Sequence, residues 1–245
     1  MTELQNLVAS AKGLIFDLFH TLTAPEHDWG QFPPTYQMLG VPREEWDDRL
    51  FRSSRFRLAG EERDPYRIVE LMARSIDPEI ECAVIEAAVH NRIERMHFAL
   101  RNIPAENVRL LQHLRKAGKR LALASNADAM ETAGWKSSPL SGCFDTVAFS
   151  CDVGSVKPEP EIFLHCLRGI GLQARECLFV GDGGSNELVT ARQLGFRTVM
   201  VAAIARQMWP EQVSERAAAA DFVIEVPTEL LDLAPEPQST PSKAQ

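Results

Sequence analysis

The stretch Leu14-Ile15-Phe16-Asp17-Leu18-Phe19-His20-Thr21-Leu22 decides the fold. Three large apolar residues in a row predict a strand buried on both faces, as in a parallel sheet covered by helices. The strand ends in a carboxylate, Asp17. In open α/β sheets, ligands sit outside the carboxyl ends of the strands. A charge buried there without a partner would be very costly, so Asp17 is expected to face a crevice. The competing reading is an Asp that ends the strand and caps the next element.

Working outward, Met1 to Gly13 reads as a loose leader. After Thr21, Ala24 to Pro34 is rich in Pro, Gly and polar residues and reads as a hinge. From Tyr36 to about Asn102 the pattern is helical. Apolar residues recur at three-and-four spacing near Arg43–Ala59, Pro65–Ser75 and Pro78–Arg101. Asp64-Pro65 and Asp77-Pro78 each predict an N-cap followed by proline at the first helical position. Beyond Asn102, strand and helix alternate. Strands are expected at Leu121–Ser125, Thr146–Ser150, Cys177–Gly181, Thr198–Ala202 and Phe222–Glu225. Helices are expected at Glu106–Ala117, Asp128–Gly134, Pro160–Arg168 and Glu187–Leu194. This alternation predicts a parallel sheet with helices on both faces. The expected organisation is an α/β core over 1–22 and 104–233, a helical cap over 23–103 and a disordered tail over 234–245.

The 245 residues are 45% apolar and 24% charged, which is ordinary for a soluble globular chain. A net charge of −8 argues against nucleic acid as the main partner. It leaves room for a small anionic substrate held by a few local cations. The five cysteines have no CxxC pairing and no recognisable signal peptide before them. Free thiols in a reducing cytosol, and a cytoplasmic location, are expected. Cys151 reads as a small apolar filler rather than a nucleophile. No apolar run approaches the length of a membrane span.

Three later strand ends bear on Asp17. Ser125-Asn126 follows Leu121 to Ala124, where a hydroxyl and an amide can donate to an anionic oxygen; turn chemistry would use the same two residues. Lys157 lies in Val156-Lys157-Pro158-Glu159-Pro160, a loop stiffened by its prolines. It can offset negative charge in the crevice, or be an ordinary surface lysine. Gly181-Asp182-Gly183-Gly184-Ser185-Asn186-Glu187 follows Leu178 to Val180 and sets two carboxylates around a Gly-rich turn. It is a poor dinucleotide fingerprint, because Asn186 stands at the third glycine position and a carboxylate sits where pyrophosphate would approach. Carboxylate oxygens suit a hard cation such as Mg²⁺ better.

In this order the four signals resemble the haloacid dehalogenase-like hydrolase superfamily, over Leu14 to about Val201. The resemblance implies a Rossmann-like parallel sheet with an all-helical cap inserted after the first strand. It implies that Asp17 is the nucleophile, that Ser125 and Asn126 bind the transferring group, and that Lys157 neutralises it and orients Asp17. It implies Mg²⁺ held by Asp17, the backbone carbonyl of Phe19, Asp182 and, directly or through water, Glu187. The departure is Phe19. Phosphatases of the family usually have a second Asp there, which protonates the leaving alkoxide and activates water. Haloacid dehalogenases tolerate an aromatic there, but generally lack the metal-binding carboxylate turn. His20 is a conceivable substitute acid/base, or a histidine packed under the cap.

The expected activity is therefore Mg²⁺-dependent hydrolysis of a small phosphorylated metabolite through an aspartyl-phosphate on Asp17. The alternatives are a metal-free 2-haloacid dehalogenase and a catalytically weak phosphometabolite sensor. In the cap, Arg49, Arg52, Arg55, Arg57 and Arg63 are expected on a solvated face, with one of them a candidate for gripping substrate. Trp29, Trp46 and Phe51 are expected to pack in the cap or its hinge.

Overall fold

The computed structural model describes residues 2–52 and 54–231. In chain order the elements are α1 (Glu3–Ser10), β1 (Gly13–Phe16), α2 (Thr35–Leu39), α3 (Arg43–Phe51), α4 (Arg55–Leu58), α5 (Pro65–Arg74), α6 (Cys82–Arg101) and α7 (Ala105–Lys116). Then follow β2 (Arg120–Ser125), α8 (Ala129–Thr132), β3 (Thr146–Phe149), α9 (Ser150–Val153), α10 (Pro160–Ile170), β4 (Cys177–Gly181) and α11 (Glu187–Leu194). The chain continues through β5 (Arg197–Val201), α12 (Ala203–Met208), α13 (Val213–Ala218) and β6 (Phe222–Ile224).

The six strands form one parallel sheet in the order β3-β2-β1-β4-β5-β6. Side chains alternate across it with the period of two that a strand dictates. Leu14, Phe16, Leu121, Leu123, Leu178 and Val180 join one apolar cluster, with α1 and α7. Ile15, Ala122, Ala124, Phe179 and Met200 join the other, with α10 and α11. Each face is covered, which explains why β1 and β4 are apolar at every position and buried throughout. The strand order reverses direction between β1 and β4, so the crevice opens at their carboxyl ends. Asp17 follows β1 there, and its N–H still donates to the Val180 carbonyl at 2.9 Å. Asp182 follows β4.

The helical insert between β1 and β2 buries an apolar cluster of its own, including Leu39, Trp46, Ile68, Met72, Ile85 and Val89. In α5 the buried residues Ile68, Val69, Met72 and Ala73 repeat at helical spacing, and Asp64 caps the helix by accepting from Arg67 N–H at 2.8 Å.

Several expectations change. The leader is a helix: Thr2 and Gln5 form a reciprocal capping box, and Leu4 and Val8 are buried. Asp77-Pro78 is a turn rather than an N-cap. Asp77 accepts from Glu79 N–H, and α6 starts only at Cys82 after Glu81. The span expected as one helix near Arg43–Ala59 divides into α3 and α4. The short α12 and α13 escaped prediction because each is a six-residue Ala-containing segment beside Trp209-Pro210, with too few turns to show a period. Phe51, expected to pack, is 60% exposed. The tail expected to be disordered lies outside the described residues. Among the described residues no helix is long and apolar enough to cross a membrane.

Candidate active site

Asp17, Lys157, Asp182 and Glu187 meet at the carboxyl edge of the sheet, and all four are buried. Lys157 Nζ donates to Asp17 Oδ1 at 2.5 Å and to Glu187 Oε2 at 2.6 Å. Thr21 Oγ1 donates to the other Asp17 oxygen at 2.9 Å. The Asp17 carboxylate is thus fixed at both oxygens by donors from two loops, which sets its plane.

The turn after β4 is shaped for its carboxylates. Gly183 N–H donates to Glu187 Oε1 at 3.0 Å, and Gly184 N–H to Asp182 Oδ1 at 2.9 Å. Gly183, Ser185 and Asn186 lie in the left-handed region, with φ of 82°, 51° and 52°. For Ser185 this costs of order 1 kcal/mol, which those backbone-to-carboxylate bonds help offset. A Cβ at Gly181 would lie 2.1 Å from Glu187 Oε1, so only glycine lets Glu187 fold back to Lys157.

One carboxylate oxygen from each of Asp17, Asp182 and Glu187 lies within 4.8 Å of the others. Three hard, buried oxygen donors converging this closely fit a divalent cation such as Mg²⁺. The electrostatics agree. Burial, with Asp17 and Asp182 close by, pushes the Glu187 carboxyl up to about 8 despite Lys157. Burial would lower the Lys157 ammonium, but Asp17 and Glu187 outweigh it and keep the lysine charged. One ammonium shared between two carboxylates leaves negative charge that a further cation would relieve.

Asn126 meets Lys157 rather than standing free. Its amide oxygen accepts from Lys157 N–H at 2.7 Å, and its amide nitrogen donates to the Lys157 carbonyl at 3.0 Å. Ser125 Oγ is buried without a hydrogen-bond partner among the described residues. Leaving a buried hydroxyl unpaired costs about 1–3 kcal/mol, which suggests a donor kept for something else. Phe19 is half-buried, with its ring 5.9 Å from that of Trp29. His20 is packed: it stacks on Trp29, meets the Trp209 edge, and pairs through Nε2 with Glu26 at 3.1 Å. Burial pushes Glu26 up, but the His20 hydrogen bond and charge, with Arg95 at 2.7 Å, bring it down to about 2.

A cavity of about 1300 Å³ lies over these groups, reached by Asp17, Phe19, Lys157 and Asp182 from the sheet side and by Trp46 and Arg92 from the insert. Ser125 does not line it, whereas Asn126 does. The expected solvated arginine face holds for Arg52, 85% exposed, and for Arg55 and Arg63, which pair with Glu159 and Asp152. It fails for Arg57. That side chain is buried, donates to Asp128 Oδ2 at 2.7 Å, and with Arg92 and Glu131 forms an ion cluster joining insert to sheet. Asp128 lies 71 residues away, so no local pattern marks the pair. Arg216, also unforeseen, binds Asp182 Oδ2 at 2.7 Å. The cysteines are free. Cys151 is buried, and its thiol is pushed up to about 11 by burial and nearby carboxylates, which suits a filler.

Residues 11–195 match the family described as hydrolase, haloacid dehalogenase-like hydrolase. The chain belongs to this family. Protein CbbY, plasmid, of Cupriavidus necator is 32% identical over 214 residues, covering 77% of each chain. A glyceraldehyde 3-phosphate phosphatase of Methanopyrus kandleri is 28% identical over 174 residues, or 69% of this chain and 72% of that one. Among solved structures, a dehalogenase with intermediate complex superposes with a TM-score of 0.62 at 19% identity, covering 90% of this chain and 96% of that one. A family enzyme from Bacteroides thetaiotaomicron in magnesium complex gives 0.60 at 20% identity, covering 82% and 98%. These likenesses show the fold. The family places the chain among the haloacid dehalogenase-like hydrolases.

Proposed function

We propose that this protein is a Mg²⁺-dependent phosphatase acting on a small phosphorylated metabolite, with Asp17 as nucleophile. The observation that carries the reading is the buried convergence of Asp17, Asp182 and Glu187 around Lys157. Likeness to the Methanopyrus kandleri phosphatase supports it, as does the magnesium named for the Bacteroides thetaiotaomicron enzyme.

Asp17, Asp182, the Phe19 carbonyl and Glu187 would hold the metal. When bound, it would screen the repulsion between the Asp17 carboxylate and a phosphate dianion. Asp17, its plane set by Lys157 and Thr21, attacks phosphorus, and the bond to the leaving oxygen breaks as the aspartyl-phosphate forms. Lys157 neutralises charge on the transferring group, and Asn126 holds the Lys157 backbone in place for it. Ser125 Oγ is buried and unpartnered but does not line the cavity, so it would donate to a phosphoryl oxygen only if substrate binding opens the floor beside Asn126. Water then releases phosphate and regenerates Asp17. Phe19 supplies no proton to the leaving oxygen, so the site favours leaving groups that depart as stable anions. The cavity and the insert over it suit a soluble metabolite shielded from bulk water.

Phosphate release from a panel of phosphorylated metabolites, with Mg²⁺ and with chelator, tests this. Release that needs Mg²⁺ and is abolished in Asp17→Asn is expected. Release that survives in Asp17→Asn would overturn the mechanism. Phe19 alone favours a second reading, metal-independent dehalogenation of a short 2-haloacid. Halide release that chelator leaves untouched would establish it instead.

A further inference from the structure

Asp182 is held by a residue from outside the four strand-end motifs. Arg216 Nη1 donates to Asp182 Oδ2 at 2.7 Å and to its backbone carbonyl at 3.3 Å. Its Nη2 donates to Gln212 Oε1 at 2.9 Å, and the guanidinium carbon lies 4.7 Å from the centre of the Trp209 ring. The side chain is 11% exposed. The turn after β4 makes room for it: a Cβ on Gly183 would sit 2.9 Å from Arg216 Cβ. The guanidinium is thus seated by a carboxylate, an amide and an aromatic face, with a glycine clearing its approach.

This seat lies on the candidate metal centre itself. With the carboxylates ionised, Asp17, Asp182 and Glu187 carry three negative charges, and Lys157 and Arg216 carry two positive ones. A guanidinium does not give up its proton under working conditions. A divalent cation approaching Asp182 therefore meets a fixed positive charge already on one oxygen of that carboxylate.

We propose that Arg216 is a resident counter-cation of the metal centre, which competes with the divalent cation for Asp182 Oδ2 and so weakens and tunes metal affinity. The inference rests on the metal-dependent reading of the site. In the absence of metal, Arg216 keeps Asp182 aimed at the crevice and relieves the repulsion among the carboxylates. When metal binds, the guanidinium loosens from Oδ2 and its contact with Trp209 changes. Arg216 is a positioning residue by this account, acting on the metal through Asp182.

Two binding measurements on the full chain test it, neither depending on turnover. The first is calorimetric titration of Mg²⁺ into the wild type, Arg216→Gln and Arg216→Lys, with folding checked by circular dichroism. Arg216→Gln is expected to bind Mg²⁺ at least fivefold more tightly, and Arg216→Lys, which keeps the charge, to stay within about twofold of the wild type. Equal or weaker binding by a folded Arg216→Gln would overturn the proposal and leave the metal reading intact. No Mg²⁺ binding by any of the three would bring down both. The second measurement uses unsubstituted Arg216, so it stands if Arg216→Gln fails to fold. Mg²⁺ should change tryptophan fluorescence in the wild type, and that change should be absent in Trp209→Phe. Metal binding with no Trp209-dependent change would show that the guanidinium does not move, and would also overturn the proposal.

Discussion

On the proposed phosphatase reading, Phe19→Asp supplies the acid/base group that the family resemblance leads one to expect at this position. Phe19 lines the same cavity as Asp17 and Lys157, and its side chain lies against Trp29, which is buried. A carboxyl there would sit beside an aromatic wall that favours its protonated form, as a general acid requires. A positioned acid/base contributes about a hundred- to ten-thousand-fold, or about 2.7–5.4 kcal/mol off the barrier. The same change forfeits part of a half-buried aromatic contact, about 2 kcal/mol of stability. Domains typically hold about 5–15 kcal/mol in reserve, so the variant should fold. The assay is phosphate release from a series of phosphate monoesters of graded leaving-group pKa, from 4-nitrophenyl to simple alkyl phosphates. Wild-type rates should fall steeply as the leaving group becomes more basic. Phe19→Asp should flatten that slope, gaining most on alkyl phosphates and least on 4-nitrophenyl phosphate. A folded variant with no gain on alkyl phosphates, or with an equal gain across the series, would refute the reasoning.

Asp128→Asn breaks the buried ion cluster between insert and sheet and leaves Arg57 short of its counter-charge, so urea unfolding should show a loss of about 3–5 kcal/mol. Burial would raise the Asp128 carboxyl, but Arg57 and Arg92 hold it below its ordinary value of 3.8. Its stabilisation is therefore complete above that value and is lost as pH falls through the lower folded value. Thermal melts of the wild type should drop through this acid window and those of Asp128→Asn should drop less. Glu26, held at about 2, adds to the same acid limb, and Glu26→Gln should blunt it independently, because a different set of partners holds it. Gly181→Ala puts a methyl 2.1 Å from Glu187 Oε1. Mg²⁺ affinity by calorimetry and phosphate release should both fall at least tenfold, with a stability cost of about 1–3 kcal/mol.

The sheet was legible because its strands announce themselves locally. Leu14 to Phe16 and Leu178 to Val180 are apolar without a break, since both faces are covered, and each ends at a carboxylate beside a turn. Asp17, Lys157, Asp182 and Glu187 could be gathered because a parallel sheet brings all its carboxyl ends to one edge, whatever the distance along the chain. The helix at Glu3–Ser10 was legible in principle, since Thr2 and Gln5 spell a capping box; the polar composition around them hid it. Arg57 and Asp128 were not legible. A buried ion pair between residues 71 apart leaves no periodicity, and an arginine grouped with Arg49, Arg52, Arg55 and Arg63 looks like part of a solvated face. The bond from Arg216 to Asp182 has the same character, lying in a stretch of short helices after β5.

The two long-range arginines share a physical logic. Arg57 and Arg216 each pair with a buried carboxylate, Asp128 and Asp182 respectively. They differ in what else the carboxylate can do. Asp128 is closed in by Arg57, Arg92 and the α8 N-terminus: Met130 and Glu131 N–H donate to it locally, and the two arginines tie it to the insert. Asp182 has the Asp17 and Glu187 carboxylates as neighbours and lines the cavity, as does its arginine. A purely structural aspartate would need neither the strained turn at Ser185 and Asn186 nor glycines at 181 and 183. Those features keep Glu187 and Asp182 converging on Asp17, the geometry on which the proposed metal site rests.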